Sequence, residues 1–289
     1  MTTFAQAVRK YEKECVSRDI PAETVMAYLV EISQKERYDL YAHYDEEMPA
    51  DLAASFAAGM ERILSGEPMG HVLGYSWFYG YQMIVNGDVL IPRYETEELC
   101  ANTLAYIDEI FAGREPLTLA DVGTGSGAIA VTLKKEEPRL QVYATDISEA
   151  ALETARQNAA NNEAEICFLA GDMLKPLIDK GIKLDILVCN PPYIPADEVL
   201  ETSVKDYEPH VALFGGNDGL YFYRRVFEDC GKVLKEKAMM AFEMGWNQRE
   251  ALTALVKEMV PEAACLVRKD INGKDRMLFV WLHCGPLEE

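Results

Sequence analysis

The chain has 289 residues, 49% of them hydrophobic, and sets 48 acidic against 28 basic side chains for a formal net charge of −20. That length is enough for two domains with buried cores, and no apolar run reaches the about 18 residues that a membrane helix needs. A phosphate backbone is normally held by a basic face, whereas the basic clusters here are dipeptides such as Lys134-Lys135 and Arg224-Arg225, which argues against nucleic acid as a direct partner.

Residues 1 to 72 read as helices. Phe4, Ala7, Val8, Tyr11 and Cys15 repeat at one-faced helical spacing. A second helix is expected from Pro21, a favourable first position, with Val25, Tyr28, Leu29 and Ile32 on one side. A third spans Pro49 to Leu64 and stops at Ser65-Gly66. The result is a small helical bundle, either a folding appendage or a substrate-docking domain. With early charges of both signs (Arg9, Lys10, Glu12), this stretch reads as neither the apolar core of a signal peptide nor an acid-poor transit peptide. From Val72 to Ile91 aromatic and β-branched residues surround Gly74, Gly80 and Gly87, predicting one or two hairpins as a linker.

The remaining chain alternates apolar strands with helical stretches. The strands are predicted at Leu117–Val122, Gln141–Thr145, Ile166–Leu169, Leu184–Cys189, Ala238–Glu243, Cys265–Arg268 and Met277–Leu282, with helices such as Glu149–Asn161 and Leu220–Val233 between them. Such alternation predicts an α/β fold with a doubly wound, mostly parallel sheet. The seven cysteines are widely spaced, form no C-x-x-C pair and fit a reducing, cytoplasmic compartment. The four histidines, 43, 71, 210 and 283, are scattered, and no metal constellation appears.

Asp121-Val-Gly123-Thr124-Gly125-Ser126-Gly127 places a glycine loop between the first sheet strand and a helix. Glycines allow a sharp turn and close approach of backbone to a ligand, and the carboxyl ends of the strands are where doubly wound sheets bind ligands. Asp146 ends the second strand, positioned to accept from a ribose diol, and Asp172 ends the third, where an adenine would lie. The glycine spacing alone also satisfies a relaxed dinucleotide fingerprint, which keeps an NAD-binding oxidoreductase open. Two features favour S-adenosylmethionine. Asp121, two residues before the first glycine, can hold the amino end of a methionine moiety but would repel a pyrophosphate. The second feature follows the fourth strand.

There, Asn190-Pro191-Pro192-Tyr193 succeeds the apolar run ending at Cys189. A proline turn alone would explain Asn-Pro but not the tetrapeptide. An amide or aromatic amino nitrogen is a poor nucleophile because its lone pair is delocalised. A site that methylates it must hold both N–H groups and aim the lone pair. Asn190 offers a side-chain oxygen and Pro191 a backbone carbonyl. The prolines pre-set the loop, and Tyr193 supplies a flat wall for a planar group.

The tetrad with the Asp121–Gly127 loop resembles the class I amino-methyltransferases. Further segments are similar to the release factor glutamine N5-methyltransferases, the PrmC/HemK family. They are Phe78-Tyr79-Gly80, Val89 through Glu97, Glu208-Pro209 through Ala212-Leu213, Gly215-Gly216 through Leu220, and Asp270 through Arg276. The resemblance implies a Rossmann-like methyltransferase domain over 93–289, a hairpin linker over 73–92 and a helical substrate-docking domain over 1–72. It implies class 1 peptide chain release factors as the protein substrate, methylated at N5 of the glutamine in Gly-Gly-Gln, with S-adenosylhomocysteine as the second product. It also implies that Gly123, Thr124, Gly125, Ser126, Gly127, Asp146, Met173 and Asn190 contact the cofactor, and that Asn190, Pro191, Pro192 and Tyr193 hold the glutamine. The position aligned to Met173 is often aromatic in that family, and its usual Pro-Arg-Pro-Glu-Thr-Glu is here Pro92-Arg93-Tyr94-Glu95-Thr96-Glu97. The alternative is an amino-methyltransferase acting on adenine in DNA or guanine in ribosomal RNA, against which the acidic charge and the absence of a target-reading domain stand.

Overall fold

A computed structural model describes residues 2–198 and 207–285. Met1, 199–206 and 286–289, parts of the expected domains, lie outside the described residues. The chain divides into two compact units that part between Tyr75 and Ser76.

In the first unit, helices Phe4–Val16, Glu23–Ser33, Arg37–Ala42, Ala50–Leu64 and Met69–Leu73 enclose one core. Thr3 and Gln6 form a capping box that satisfies two amide donors at the start of the first helix. The predicted face residues Phe4, Ala7, Val8, Tyr11 and Cys15 are all buried. Phe56 stands at the centre, with Tyr11 edge-on at 5.4 Å and Tyr28 stacked at 6.0 Å. Two local expectations need correction, and one short helix goes unread in the sequence. The second helix starts at Glu23 rather than Pro21, because Thr24 N–H closes a tight turn back to the Pro21 carbonyl first. Helix Arg37–Ala42 is too short to show a period and buries only Leu40. Val72 and Leu73 end a helix instead of opening a strand. Gly74, at φ +78°, supplies the left-handed stop.

The hairpin that follows pairs β1 (Tyr75–Phe78) with β2 (Tyr81–Ile84), turning on Tyr79 and Gly80, both at positive φ. It is one hairpin; residues 85–93 form no strand.

The second unit carries a seven-stranded sheet in the order β5-β4-β3-β6-β7-β9-β8. The strands are β3 (Leu117–Val122), β4 (Leu140–Asp146), β5 (Ile166–Ala170), β6 (Leu184–Cys189), β7 (Leu234–Glu243), β8 (Ala263–Lys269) and β9 (Asp275–Leu282). All neighbours run parallel except β9, which is antiparallel to both β7 and β8. Both faces are buried, so the central strands read as continuous apolar runs. Ile186 and Val188 enter one core with helices Tyr94–Ile110 and Ala128–Glu136, while Leu187 and Cys189 enter the other with helices Tyr221–Val233 and Arg249–Met259. β7 begins at Leu234, earlier than the predicted Ala238. Its first turn outside the apolar run is charged, but Lys235 pairs with Asp185 at 2.6 Å and Lys237 donates to the Ile110 carbonyl. No helix of the described residues is long and apolar enough to cross a membrane.

Gly59 tests the packing of the first unit. It lies inside helix Ala50–Leu64, where alanine is intrinsically favoured by about 1 kcal/mol. A Cβ there would overlap the hydroxyl and ring of buried Tyr28. Overpacking costs about 1–3 kcal/mol, so Gly59→Ala should destabilise the unit rather than stabilise it. Chemical denaturation followed through that unit checks the sign, and a gain in stability would contradict this packing.

Candidate active site

The order of the strands decides where a site can form. The sequence of connections reverses between β3 and β6, which lie side by side with Asp121 opposite Val188. Their carboxyl ends therefore open into one crevice, the usual ligand position in such sheets. β3 delivers Gly123–Gly127 there, β6 delivers Asn190–Tyr193, β4 delivers Asp146, and β7 delivers Glu243. Cys189 is registered with Phe242, which sets Glu243 beside Asn190.

The glycine loop is shaped by three left-handed residues. Gly123 (φ +75°) and Gly125 (φ +55°) have open space where a Cβ would stand, whereas a Cβ on Gly127 (φ +81°) would press on Ala155. The first two glycines leave a cradle; the third lets two helices approach. Backbone N–H groups of Gly123 and Thr124 donate to the Thr145 carbonyl, at 2.8 and 2.9 Å. Gly125 N–H donates to Asp146 Oδ2 at 2.9 Å, while Asp146 Oδ1 accepts from Ser148 N–H at 2.9 Å. Asp146 thus ties the loop to the next strand and keeps acceptor capacity on both oxygens. Behind the loop, buried Asn158 donates to the carbonyls of Ser126 (2.8 Å) and Ile84 (3.0 Å) and accepts from Ile84 N–H (2.6 Å). Thr124 and Ser126 are buried, so they shape the loop from within.

Asp121 is wholly buried. Its Oδ2 accepts from the Thr124 hydroxyl at 2.5 Å, but Oδ1 has no hydrogen-bond partner. Burial pushes its pKa up to about 7, opposed by the Thr124 hydrogen bond and by the Ala130 backbone N–H, which lies near without closing a hydrogen bond to Oδ1, and Asp146 adds to the rise. A buried acceptor left unmatched beside an open glycine cradle suits a ligand with a cationic nitrogen.

Asp172 and Met173 sit at the end of β5. Asp172 pairs with Arg225 through two bonds, at 2.8 and 2.7 Å, and this lowers its pKa. The carboxylate is thus already engaged within the chain. Met173 adopts φ +50°, accepts from Thr145 Oγ1 at 3.2 Å through its carbonyl, and packs its side chain on the second core.

On the other side of the crevice, Asn190 Nδ2 donates to Thr96 Oγ1 at 3.3 Å. Pro191 is buried and Pro192 half-buried. Tyr193 O–H donates to Glu243 Oε1 at 3.1 Å, and Gln248 Nε2 holds the Tyr193 carbonyl at 3.1 Å. A Cβ at Gly219 (φ +71°) would collide with that carbonyl and with Gln248, so a second glycine segment backs the tetrad. Burial raises the Tyr193 pKa, reinforced by Glu243, and burial likewise raises that of Glu243 itself, opposed by Thr96 and Arg276.

Sequence reasoning singled out neither Glu243, Gln248 nor Asn158, and Thr96 appeared only within a family segment. Glu243 carried one readable sign: an acid closing the buried run Ala238–Phe242 at a parallel strand's carboxyl end. Tyr94 also finds its explanation. It is the first residue of helix Tyr94–Ile110, a position where proline is favoured, and it is 80% exposed.

The segments match known proteins at two levels. The model of the PrmC N-terminal domain matches residues 6–74 and that of the Methyltransferase small domain matches residues 105–206. The hMettl16 catalytic domain in complex with MAT2A 3′UTR hairpin 1 has the same fold (TM-score 0.58, 15% identity, 91% of this chain and 93% of that one). The release factor glutamine methyltransferase of Bacillus anthracis is 44% identical over 87% of this chain and 89% of its own length. That of Bacillus subtilis strain 168 is 40% identical over 98% and 99%. With relatives this similar along nearly its whole length, the chain is a methyltransferase and belongs to the release factor glutamine methyltransferase family.

Proposed function

We propose that the protein transfers a methyl group from S-adenosylmethionine to the side-chain amide nitrogen of the glutamine in the Gly-Gly-Gln motif of class 1 peptide chain release factors. One observation carries the reading: an open glycine cradle with an unmatched buried carboxylate oxygen stands on the strand adjacent to a neutral acceptor loop, Asn190–Tyr193. The names of the similar proteins support the choice of protein substrate.

S-adenosylmethionine, when bound, supplies a methyl group on a sulfonium centre. In this reading Gly123 and Gly125 admit its backbone-like methionine end, Asp121 Oδ1 meets the ammonium, and Asp146 accepts from the ribose. Met173 offers an apolar surface to the adenine. Asn190 Oδ1 and the Pro191 carbonyl accept the two N–H groups of the glutamine amide. The amide plane is thereby fixed and its nitrogen faces the methyl group. Tyr193 packs against the planar group with its ring, while its hydroxyl is turned to Glu243. One N–H proton is given up to water once the nitrogen carries the methyl group and is strongly acidic, so no strong base is needed. The rate gain comes from orientation of a weak nucleophile at near-attack distance.

The acidic chain suits a basic partner, since complementary fields speed encounter. Exposed apolar side chains on loops at the carboxyl ends of the strands, notably Trp246 at 62%, supply contact area for a protein substrate. Trp246→Ala should raise KM for the release factor about tenfold with kcat little changed; an unchanged KM would remove Trp246 from the docking surface.

The substrate is tested by offering labelled S-adenosylmethionine with release factor, duplex DNA and ribosomal RNA in parallel. Label should enter the release factor alone. With the wild-type result in hand, Asn190→Ala should lower kcat by at least about a hundredfold, roughly 2.7 kcal/mol of barrier, while cofactor affinity changes little. Activity within a few-fold of wild type would remove Asn190 from the mechanism.

Asp121 predicts a pH dependence. Burial pushes its carboxyl up to about 7, and the ionised form is the one that meets an ammonium. Cofactor affinity should therefore weaken as pH falls below 7, approaching about tenfold per unit. Measurement between pH about 5.5 and 7 stays below the α-amino range of about 7.7–8.0. Calorimetry should show this slope in wild type and its loss in Asp121→Asn; a flat wild-type profile would place the ammonium elsewhere.

A further inference from the structure

The polarity of one buried hydrogen-bond chain fixes which way the Asn190 amide faces. Glu243 and Thr96 are 2% and 5% exposed, on the last residue of β7 and the first turn of helix Tyr94–Ile110. Thr96 O–H donates to Glu243 Oε2 at 2.6 Å, Tyr193 O–H donates to Glu243 Oε1 at 3.1 Å, and Asn190 Nδ2 donates to Thr96 Oγ1 at 3.3 Å.

An ionised carboxylate only accepts. It therefore claims the single proton of Thr96, whose oxygen is left with lone pairs alone. Only an N–H group can meet those lone pairs favourably, so Asn190 must turn Nδ2 inward and Oδ1 outward. The opposite orientation would set an amide oxygen against a hydroxyl oxygen with no proton between them. The two ends of an asparagine side chain are nearly the same shape, so packing cannot make this choice. Charge does. Burial works toward the protonated acid, but the hydrogen bonds from Thr96 and Tyr193 and the Arg276 guanidinium, whose Nε donates to Asp270 at 3.2 Å, favour the ionised form that accepts from both hydroxyls, with Glu95 opposing.

We propose that Glu243 and Thr96 are positioning residues that hold the Asn190 side-chain oxygen toward the substrate amide. The inference rests on the reading of Asn190 as the acceptor of that amide. It goes further by assigning a task to a buried acid that belongs to neither the glycine loop nor the tetrad. Replacing the acid by its amide, as in Glu243→Gln, would break the polarity. The glutamine side chain introduced there would have one acceptor for two hydroxyl donors, and its NH2 turned to Thr96 would release the threonine proton toward Asn190. The asparagine could then flip and present donors to the donors of the substrate.

The test compares Glu243→Gln, Thr96→Val, Thr96→Ser and Asn190→Ala under single-turnover conditions, with S-adenosylmethionine and release factor both saturating. Thr96→Val keeps the shape without the hydroxyl, and Thr96→Ser keeps the hydroxyl. We expect Thr96→Val and Glu243→Gln to lose about tenfold or more in kcat, and Thr96→Ser to stay within about threefold of wild type. The dissociation constant for S-adenosylmethionine, measured by calorimetry, should stay within about twofold in all of them. That calorimetric value also verifies that Thr96→Val is folded, should buried Glu243→Gln fail to fold. Near-wild-type kcat in Thr96→Val, or equal losses in the Val and Ser variants, would overturn the relay. An active Asn190→Ala enzyme would instead overturn the underlying reading of the site, so the two failures are distinguishable.

Discussion

Everything at the site depends on β3 and β6 being hydrogen-bonded neighbours. They are separated in sequence by two strand–helix units, yet Leu119 to Asp121 pair with Ile186 to Val188 in the middle of the sheet. Both strands bury both faces, which leaves little freedom in their register. The consequence is that a glycine loop and a proline-stiffened acceptor loop start from adjacent strand ends. The geometry of the candidate site is thus a by-product of core packing. The loops need only short local ties, such as Gly125 to Asp146 and Tyr193 to Gln248, to reach their final shape.

Among the described residues three acids are buried in the strands of this sheet, and each is treated according to the end it occupies. Asp185, near the amino end of β6, is answered by two cations, Arg114 at 2.8 Å and Lys235 at 2.6 Å, and by Thr118 N–H. That is a structural solution, with the charge neutralised inside the chain. Asp121 and Glu243, at the carboxyl ends, accept instead from hydroxyls: Thr124 for one, Thr96 and Tyr193 for the other. Hydroxyls stabilise a carboxylate less than cations do, and burial raises both pKa values. Such perturbed acids cluster where a protein acts rather than where it is merely held together.

Much of this was legible before any coordinates. Leu117–Val122 and Leu184–Cys189 are strands with the predicted bounds, because an apolar run flanked by glycine or proline leaves few alternatives. Helix Glu149–Asn161 also has the predicted bounds, and the Ser148 side chain caps it by accepting from Ala151 N–H. The glycine loop and the tetrad announced themselves through backbone chemistry that few other residues could serve. What sequence did not reveal depends on partners far along the chain. The reversed direction of β9 is set by its pairing with β7 and β8, and nothing in Asp275–Leu282 encodes it locally. The bond between Thr96 and Glu243 joins residues 147 positions apart. Position alone reads Asp172 as lying where an adenine sits, and only the fold brings Arg225 to its carboxylate.

The central claim is that neutral oxygens of the tetrad orient a planar amide beside the glycine cradle. A crystal structure of the protein with S-adenosylhomocysteine and a peptide carrying Gly-Gly-Gln tests it most directly. The account predicts the glutamine amide nitrogen within hydrogen-bonding distance of Asn190 Oδ1 and the Pro191 carbonyl, and facing the sulfur. An amide whose nitrogen points away from both oxygens, or a ligand ammonium remote from Asp121, would contradict it.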